Sequence, residues 1–154
     1  MKKIFVILVV MLSAVGAVDA QTKKMTVEQL YAKYDGGENV VTMNIPGEML
    51  VTMEADAEVA ANVSSLMMII SESAPKSFKE DVDVLVKSGN YTSLMNINAE
   101  GERVGMYMSK DKSEFLLVVY SSDGEAVFMC AKGENFTAQS MMALAEGVFN
   151  ADMF

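Results

Sequence analysis

Apolar residues recur along this chain at two spacings, three-to-four and two, and the switches between them mark its elements. Val27, Leu30, Tyr31 and Tyr34 lie at i, i+3, i+4 and i+7, one stripe of a helix over residues 26–34. Thr26 and Gln29 form a capping box at its start, Met25 and Leu30 a hydrophobic staple, and Asp35-Gly36-Gly37 its stop. Residues 39–45, rich in β-branched side chains, predict a strand. Pro46 then opens a short helical turn over 47–53 that presents Met49, Leu50 and Met53. Residues 54–61 read as an acidic, alanine-rich connection, and the apolar run 63–70 as a buried strand.

A second helix follows, with Ser73 as its cap and Pro75 in its first turn. Phe78, Val82, Leu85 and Val86 form its apolar stripe. Lys76 with Glu80 and Asp83 with Lys87 make exposed i,i+4 pairs, and Gly89 ends the helix. Four strands come next, at 91–98, 103–109, 114–120 and 126–131, separated by Glu-Gly, Asp-Lys-Ser and Asp-Gly turns. Connections this short join antiparallel neighbours, so the four predict a meander. A last helix begins at Thr137, stapled by Phe136 and Met141, and buries Met141, Leu144, Ala145 and Val148. The expected fold class is α+β: a largely antiparallel sheet with a four-strand C-terminal meander and helices packed around it. In the 114–120 strand both faces are apolar, so Leu117 and Val118 are both expected to be buried. On the strand before it, Val104, Met106 and Met108 share one face, and Gly105 and Tyr107 the other. The central strands are therefore covered on both sides, or one face meets a partner.

The first twenty residues follow a different rule. Lys2 and Lys3 precede an unbroken apolar run from Ile4 to Leu12, and Val18-Asp19-Ala20 ends in the small-residue pattern of a cleavage site. This is a secretory signal peptide, with the cut between Ala20 and Gln21; the run is too short for a stable membrane insertion. The expected organisation is a signal peptide at 1–20 and one domain at 21–154. The protein is expected to be exported.

Charge and rare residues narrow the chemistry. The 154-residue chain carries a formal −9, and residues 1–20 hold a net +1 (Lys2, Lys3, Asp19), so cleavage leaves 134 residues at −10. Such a surface repels phosphate backbones and anionic lipid, which excludes nucleic acid as the expected partner. Histidine is absent, removing imidazole-activated nucleophiles and imidazole metal sites. The single Cys130 lies in an apolar alternating run, the setting of a small core residue, and it leaves no disulfide framework. Glu54-x-Asp56-x-Glu58 imitates the start of a calcium loop, but Val59 stands where glycine is required and Ser65 where the closing acid is required. No phosphate loop, dinucleotide fingerprint or nucleophile elbow is present, so no catalytic residue, cofactor or metal is assigned.

Thirteen of the 15 methionines lie beyond residue 20. Three readings of them stand. They fill core gaps; they line an adaptable groove for an apolar ligand or peptide; or exposed thioethers bind Cu(I), which prefers soft ligands. Met106 and Met108 share a strand face and are the first candidates for such a groove, with Met49 and Met53 as possible neighbours. The paired Met67-Met68 and Met141-Met142 point their sulfurs apart.

One further pattern spans nearly all of residues 21–154. Leu30-Tyr31-Ala32-Lys33-Tyr34 precedes Val40-Val41-Thr42-Met43-Asn44-Ile45 and Met49-Leu50, then Phe78, Leu85 and Tyr91-Thr92-Ser93-Leu94-Met95. Gly101-Glu102-Arg103-Val104, Met106-Tyr107-Met108, residues 114–119 and Gly124-Glu125-Ala126-Val127-Phe128-Met129, leading to Gly133, complete it. In these spaced hydrophobics and turn glycines the chain resembles the Bacteroidota domain-of-unknown-function family 4252. The resemblance implies a small exported bacterial protein of one domain, with no agreed activity and so no catalytic residue to carry over. Some members resemble lipoproteins, with a cysteine just after the signal. Val18-Asp19-Ala20 is followed by none here, which favours a soluble periplasmic form. The expected function is an exported, non-catalytic binding or regulatory domain of the bacterial envelope, its partner an envelope protein or an apolar ligand. The alternatives are a soft-metal, Cu(I)-binding protein using exposed methionines, and an enzyme working without histidine through lysine, tyrosine and carboxylates.

Overall fold

The computed structural model describes residues 24–52 and 57–150. The expected signal peptide with its cleavage site at Ala20 and Gln21, and Met53, lie outside them, as does the side chain of Val148. The described elements are five helices and six strands, in the order α1 (Val27–Tyr34), β1 (Val40–Pro46), α2 (Gly47–Thr52), α3 (Ala57–Ala61), β2 (Val63–Ser71), α4 (Lys76–Ser88), β3 (Tyr91–Ala99), β4 (Glu102–Ser109), β5 (Glu114–Tyr120), β6 (Ala126–Gly133) and α5 (Ala138–Asn150). All six strands join one antiparallel sheet in the order β1-β2-β6-β5-β4-β3. The fold class is α+β, and the C-terminal meander β3–β6 is present as the turn chemistry predicts.

Burial alternates across this sheet and divides the core in two. Leu116, Val118, Tyr120, Phe128 and Cys130 face α1 and α4, packing with Val27, Leu30, Phe78, Val82 and Leu85. Phe115, Leu117, Met129 and Ala131 face the other way, with Leu50 of α2, Val59 and Ala60 of α3, and Met141, Leu144 and Ala145 of α5. Leu117 and Val118 are thus both buried, on opposite faces, as a two-sided apolar strand requires. The neighbours Met67 and Met68 enter opposite cores for the same reason.

The local signals held in most places. Thr26 accepts from the Gln29 backbone N–H at 3.2 Å while the Gln29 side chain accepts from the Thr26 N–H at 3.0 Å, a complete capping box. Thr137 and Ser140 make a similar reciprocal pair at the start of α5, where Phe136 and Met141 are both buried. Three expectations are corrected. Residues 57–61 form helix α3 rather than part of a connection, because Val59 and Ala60 are drawn into the core. Ser73 does not cap α4; it lies two residues before the cap position, which Pro75 occupies, and proline has no side-chain acceptor to offer. Asp83 pairs with Arg103 on β4 at 3.4 Å, across elements rather than along its own helix.

Candidate functional site

The helices on one face do not reach across the whole sheet. Met141, Leu144 and Ala145 of α5 seat against the middle of the α2/α3/α5 face, leaving the outer strands β4 and β3 with a thinner cover. Between α5 and these strands runs a groove of about 390 Å³, lined by Val104, Met106, Leu117, Val119, Met142, Ala145 and Glu146. Its walls are methyl groups and thioethers, and Glu146 is its one ionisable lining residue. Met142 is 42% exposed while Met141 beside it is fully buried, so the two sulfurs do point apart and one of them borders the groove. Across the β3–β4 ladder Met95 stands opposite Met106, and Ile97 opposite Val104. Partners in register share a face, so β3 extends the apolar strip to the sheet edge, where Ile97 is 49% exposed.

The sequence-derived candidates separate. Met106 is half-buried and lines the groove. Met108, two residues on, shares its face but is buried in the core beside Phe115, its partner across the ladder. Met49 is 55% exposed on α2, which packs on β1 and β2 at the opposite edge of the sheet. β2 and β4 are three strand spacings apart, about 14 Å. The structure therefore does not bring Met49 to Met106. Met95, Met142 and Val119 were not singled out by sequence reasoning. Met95 was within reach of it, since the 91–98 and 103–109 strands were expected to pair and an antiparallel register sets a residue against each methionine. Met142 was not, because its neighbour Met141 satisfies the helix stripe alone.

Two polar clusters lie elsewhere, each joining separate elements. Between α1 and α4, the buried Asp81 carboxylate accepts from Lys33 Nζ at 2.5 Å and from the Tyr34 hydroxyl at 2.8 Å. Burial holds the Tyr34 hydroxyl above its ordinary pKa, and the Asp81 bond holds the Lys33 ammonium above its own. At the other end of that face the Tyr91 hydroxyl donates to Glu114, and Lys132 reaches both Glu114, at 3.3 Å, and Glu28. Burial, then the Glu114 bond, push the Tyr91 hydroxyl far up, so it stays a neutral donor. The Lys132 bond holds the Glu28 carboxyl below its ordinary value. Cys130 is fully buried and its thiol is pushed up by burial, a setting that keeps it protonated.

Among the described residues no group of three or more aspartate, glutamate, cysteine or histidine side chains could hold a metal ion. Among them, too, no helix is long and apolar enough to cross a membrane. A family model described as a domain of unknown function (DUF4252) matches residues 34–144, from the end of α1 to the middle of α5, and so takes in all six strands and the groove lining except Ala145 and Glu146. No curated protein and no solved structure matches the chain.

Proposed function

We propose, for a chain that belongs to the DUF4252 family of domains of unknown function, the role of an exported, non-catalytic binding domain of the bacterial envelope, with the groove between α5 and β4–β5 as its binding surface. One observation carries this reading: seven residues line the groove and six of them are apolar. Covering such a surface gains about 25 cal/mol per Å² of apolar area. Thioethers at Met106 and Met142 adapt to irregular shapes, which suits an apolar ligand or an apolar segment of an envelope protein. Export rests on the charged start, apolar run and small-residue ending of residues 1–20. The test uses the neutral apolar dye N-phenyl-1-naphthylamine. Its fluorescence should rise on binding, and Met142→Glu should weaken binding about tenfold by placing a charge at the groove wall. Binding unaffected by Met142→Glu would show that the groove is not the site.

A second reading has its own support. Met106 and Met142 both line the groove, and Met95 stands opposite Met106 across the ladder just outside it, so three thioethers lie on one stretch of the same face. Soft sulfur ligands of this kind suit Cu(I). Methionine methyl resonances of these three residues, and not of Met49, should move on Cu(I) addition.

A further inference from the structure

The outer edge of the sheet at β3 carries a second set of features that the groove does not use. Tyr91–Ala99 contains no charged residue and no proline, in a chain whose net charge is −9. Apart from Tyr91 and Met95, which are half-buried, every residue of β3 is exposed. Edge strands are ordinarily guarded by lysine, proline or inward charge, because their outer N–H and C=O groups invite another strand. The opposite edge is guarded. β1 ends in Pro46, and the Thr42 hydroxyl is tied to Asp35 from the preceding turn. Its two ends are also both acidic, with Glu38 before it and Glu48 after it, so an antiparallel copy of β1 would set acid beside acid.

We infer that two copies of this chain pair through β3, antiparallel and centred on Asn96, to make one continuous twelve-stranded sheet. Two observations favour a second copy as the occupant. First, the strand is complementary to itself in this register. Asn96 meets Asn96 on the α1/α4 face, and Met95 meets Ile97 on the groove face, so the amides can bond each other and the apolar side chains stay together. The apolar strip of one copy then runs into that of the other. Second, the ends are complementary in charge. The turn after β3 carries Glu100 and Glu102, while Lys87 and Lys110 flank its start, where Tyr91 pairs with Ser109. Asp111 and Glu114 lie at that end as well, but the Asp111 carboxylate is engaged by the Ser109 and Ser113 hydroxyls at 2.6 and 2.7 Å, and Glu114 by Tyr91 and Lys132. Antiparallel pairing brings the acidic end of each copy to the basic end of its partner. The bulge between Ser93 and Met95 works the other way, since bulges guard edges, and it limits regular pairing to residues 95–97 of each copy.

A regular stretch over residues 95–97, about 10 Å long, together with its apolar flank lies at the small end of stable interfaces. The expected dissociation constant is therefore on the order of 10 µM. Sedimentation of protein purified after export should show a monomer–dimer equilibrium in that range, and Asn96→Lys should abolish it by setting two ammonium groups together on the two-fold axis. An equimolar mixture of Asn96→Lys and Asn96→Asp should recover the dimer, which a misfolded variant would not. Asn96→Cys with oxidised glutathione should give a disulfide-linked dimer on a non-reducing gel, since Cys130 is buried and does not compete; Asn44→Cys on the β1 edge should stay monomeric. A wild-type chain that remains monomeric at about 200 µM overturns the inference. So does an Asn96→Lys protein that still dimerises, or an Asn44→Cys protein that cross-links as readily. None of these results bears on dye binding in the groove, which is measured on the monomer.

Discussion

Met95 and Met106 stand directly opposite each other across the β3–β4 ladder, on the face that α5 leaves partly open. Their pairing decides how the methionines should behave toward oxidant. Sulfoxide formation needs solvent access. Met142, Met106, Met95 and Met49 should react early with dilute peroxide, while Met68, Met129 and Met141, at 1% exposure or less, should react only on unfolding. An apolar ligand should protect Met106 and Met142 but leave Met49, which lies at the opposite edge of the same face, as reactive as before. Peptide mapping with and without N-phenyl-1-naphthylamine separates the two groups. Equal protection of Met49 would mean that the dye does not select the groove.

Leu117 and Val118 occupy adjacent positions in different cores. Truncating Leu117 to alanine should cost about 3 kcal/mol and Val118 to alanine about 2 kcal/mol in urea melts. Because the two side chains pack into separate cores, the double variant should lose close to the sum. A deficit well short of additivity would show that the two faces communicate.

Two glycines of the same chain should respond in opposite directions to a single methyl group. A Cβ at Gly133 would lie 1.9 Å from the Asn62 carbonyl oxygen, a backbone atom that cannot swing aside. Gly133→Ala should therefore cost about 3 kcal/mol or more, by forcing β6 and the turn before β2 apart. Gly147, in helix α5, meets nothing within 4 Å. Gly147→Ala should stabilise by about 0.5–1 kcal/mol. Thermal melts of the two variants suffice, and a stabilised Gly133→Ala would contradict the close approach of β6 to Asn62.

Much of this architecture was legible in local pattern. The helix at 27–34 announces itself by its capping box, and the meander by turns too short for anything but antiparallel strands. What sequence could not give is where a helix sits on a sheet. The stripe of α5 predicts that Met141 and Leu144 are buried, and they are, but not that the helix stops short of β4 and so leaves Met106 half-covered and Met108 buried. Both methionines share a face in either case; only the lateral placement of α5 separates them. Met49 was grouped with them because its exposure can be read from its helix. Its distance from Met106 depends on the strand order, which places β6 and β5 between β2 and β4. Residues 57–61 show the converse: their acidic composition suggests a solvated link, and two small apolar side chains, Val59 and Ala60, are enough to fold them onto the core.

The proposed export makes a prediction of its own. Protein recovered from the periplasm of an expressing bacterium should have an intact mass corresponding to a chain that begins at Gln21. A retained residue 1–20 segment, or a mass increment equal to an acyl chain, would refute cleavage between Ala20 and Gln21.

The Lys132 cluster sets the pH window. Glu28 is held below its ordinary value of 4.5, first by the Lys132 side-chain bond. A carboxyl depressed in the folded state contributes stability above its unfolded pKa and loses it as pH falls through the folded one. For Lys132, burial pulls the ammonium down, but the Glu28 bond and the attraction of Glu114 outweigh it and raise the folded value above 10.5. That contribution is full below 10.5 and is lost as pH rises through the raised value. The pair thus stabilises across the neutral range and fails at both ends. Glu28 is 60% exposed, so water and salt screen the interaction, which is expected to be worth less than about 1 kcal/mol. Urea midpoints measured between pH 7 and pH 3 should fall less steeply in Lys132→Gln than in the parent. The difference between the two should shrink in about 0.5 M salt. Parallel slopes for the two proteins would show that other carboxylates govern the acid limb.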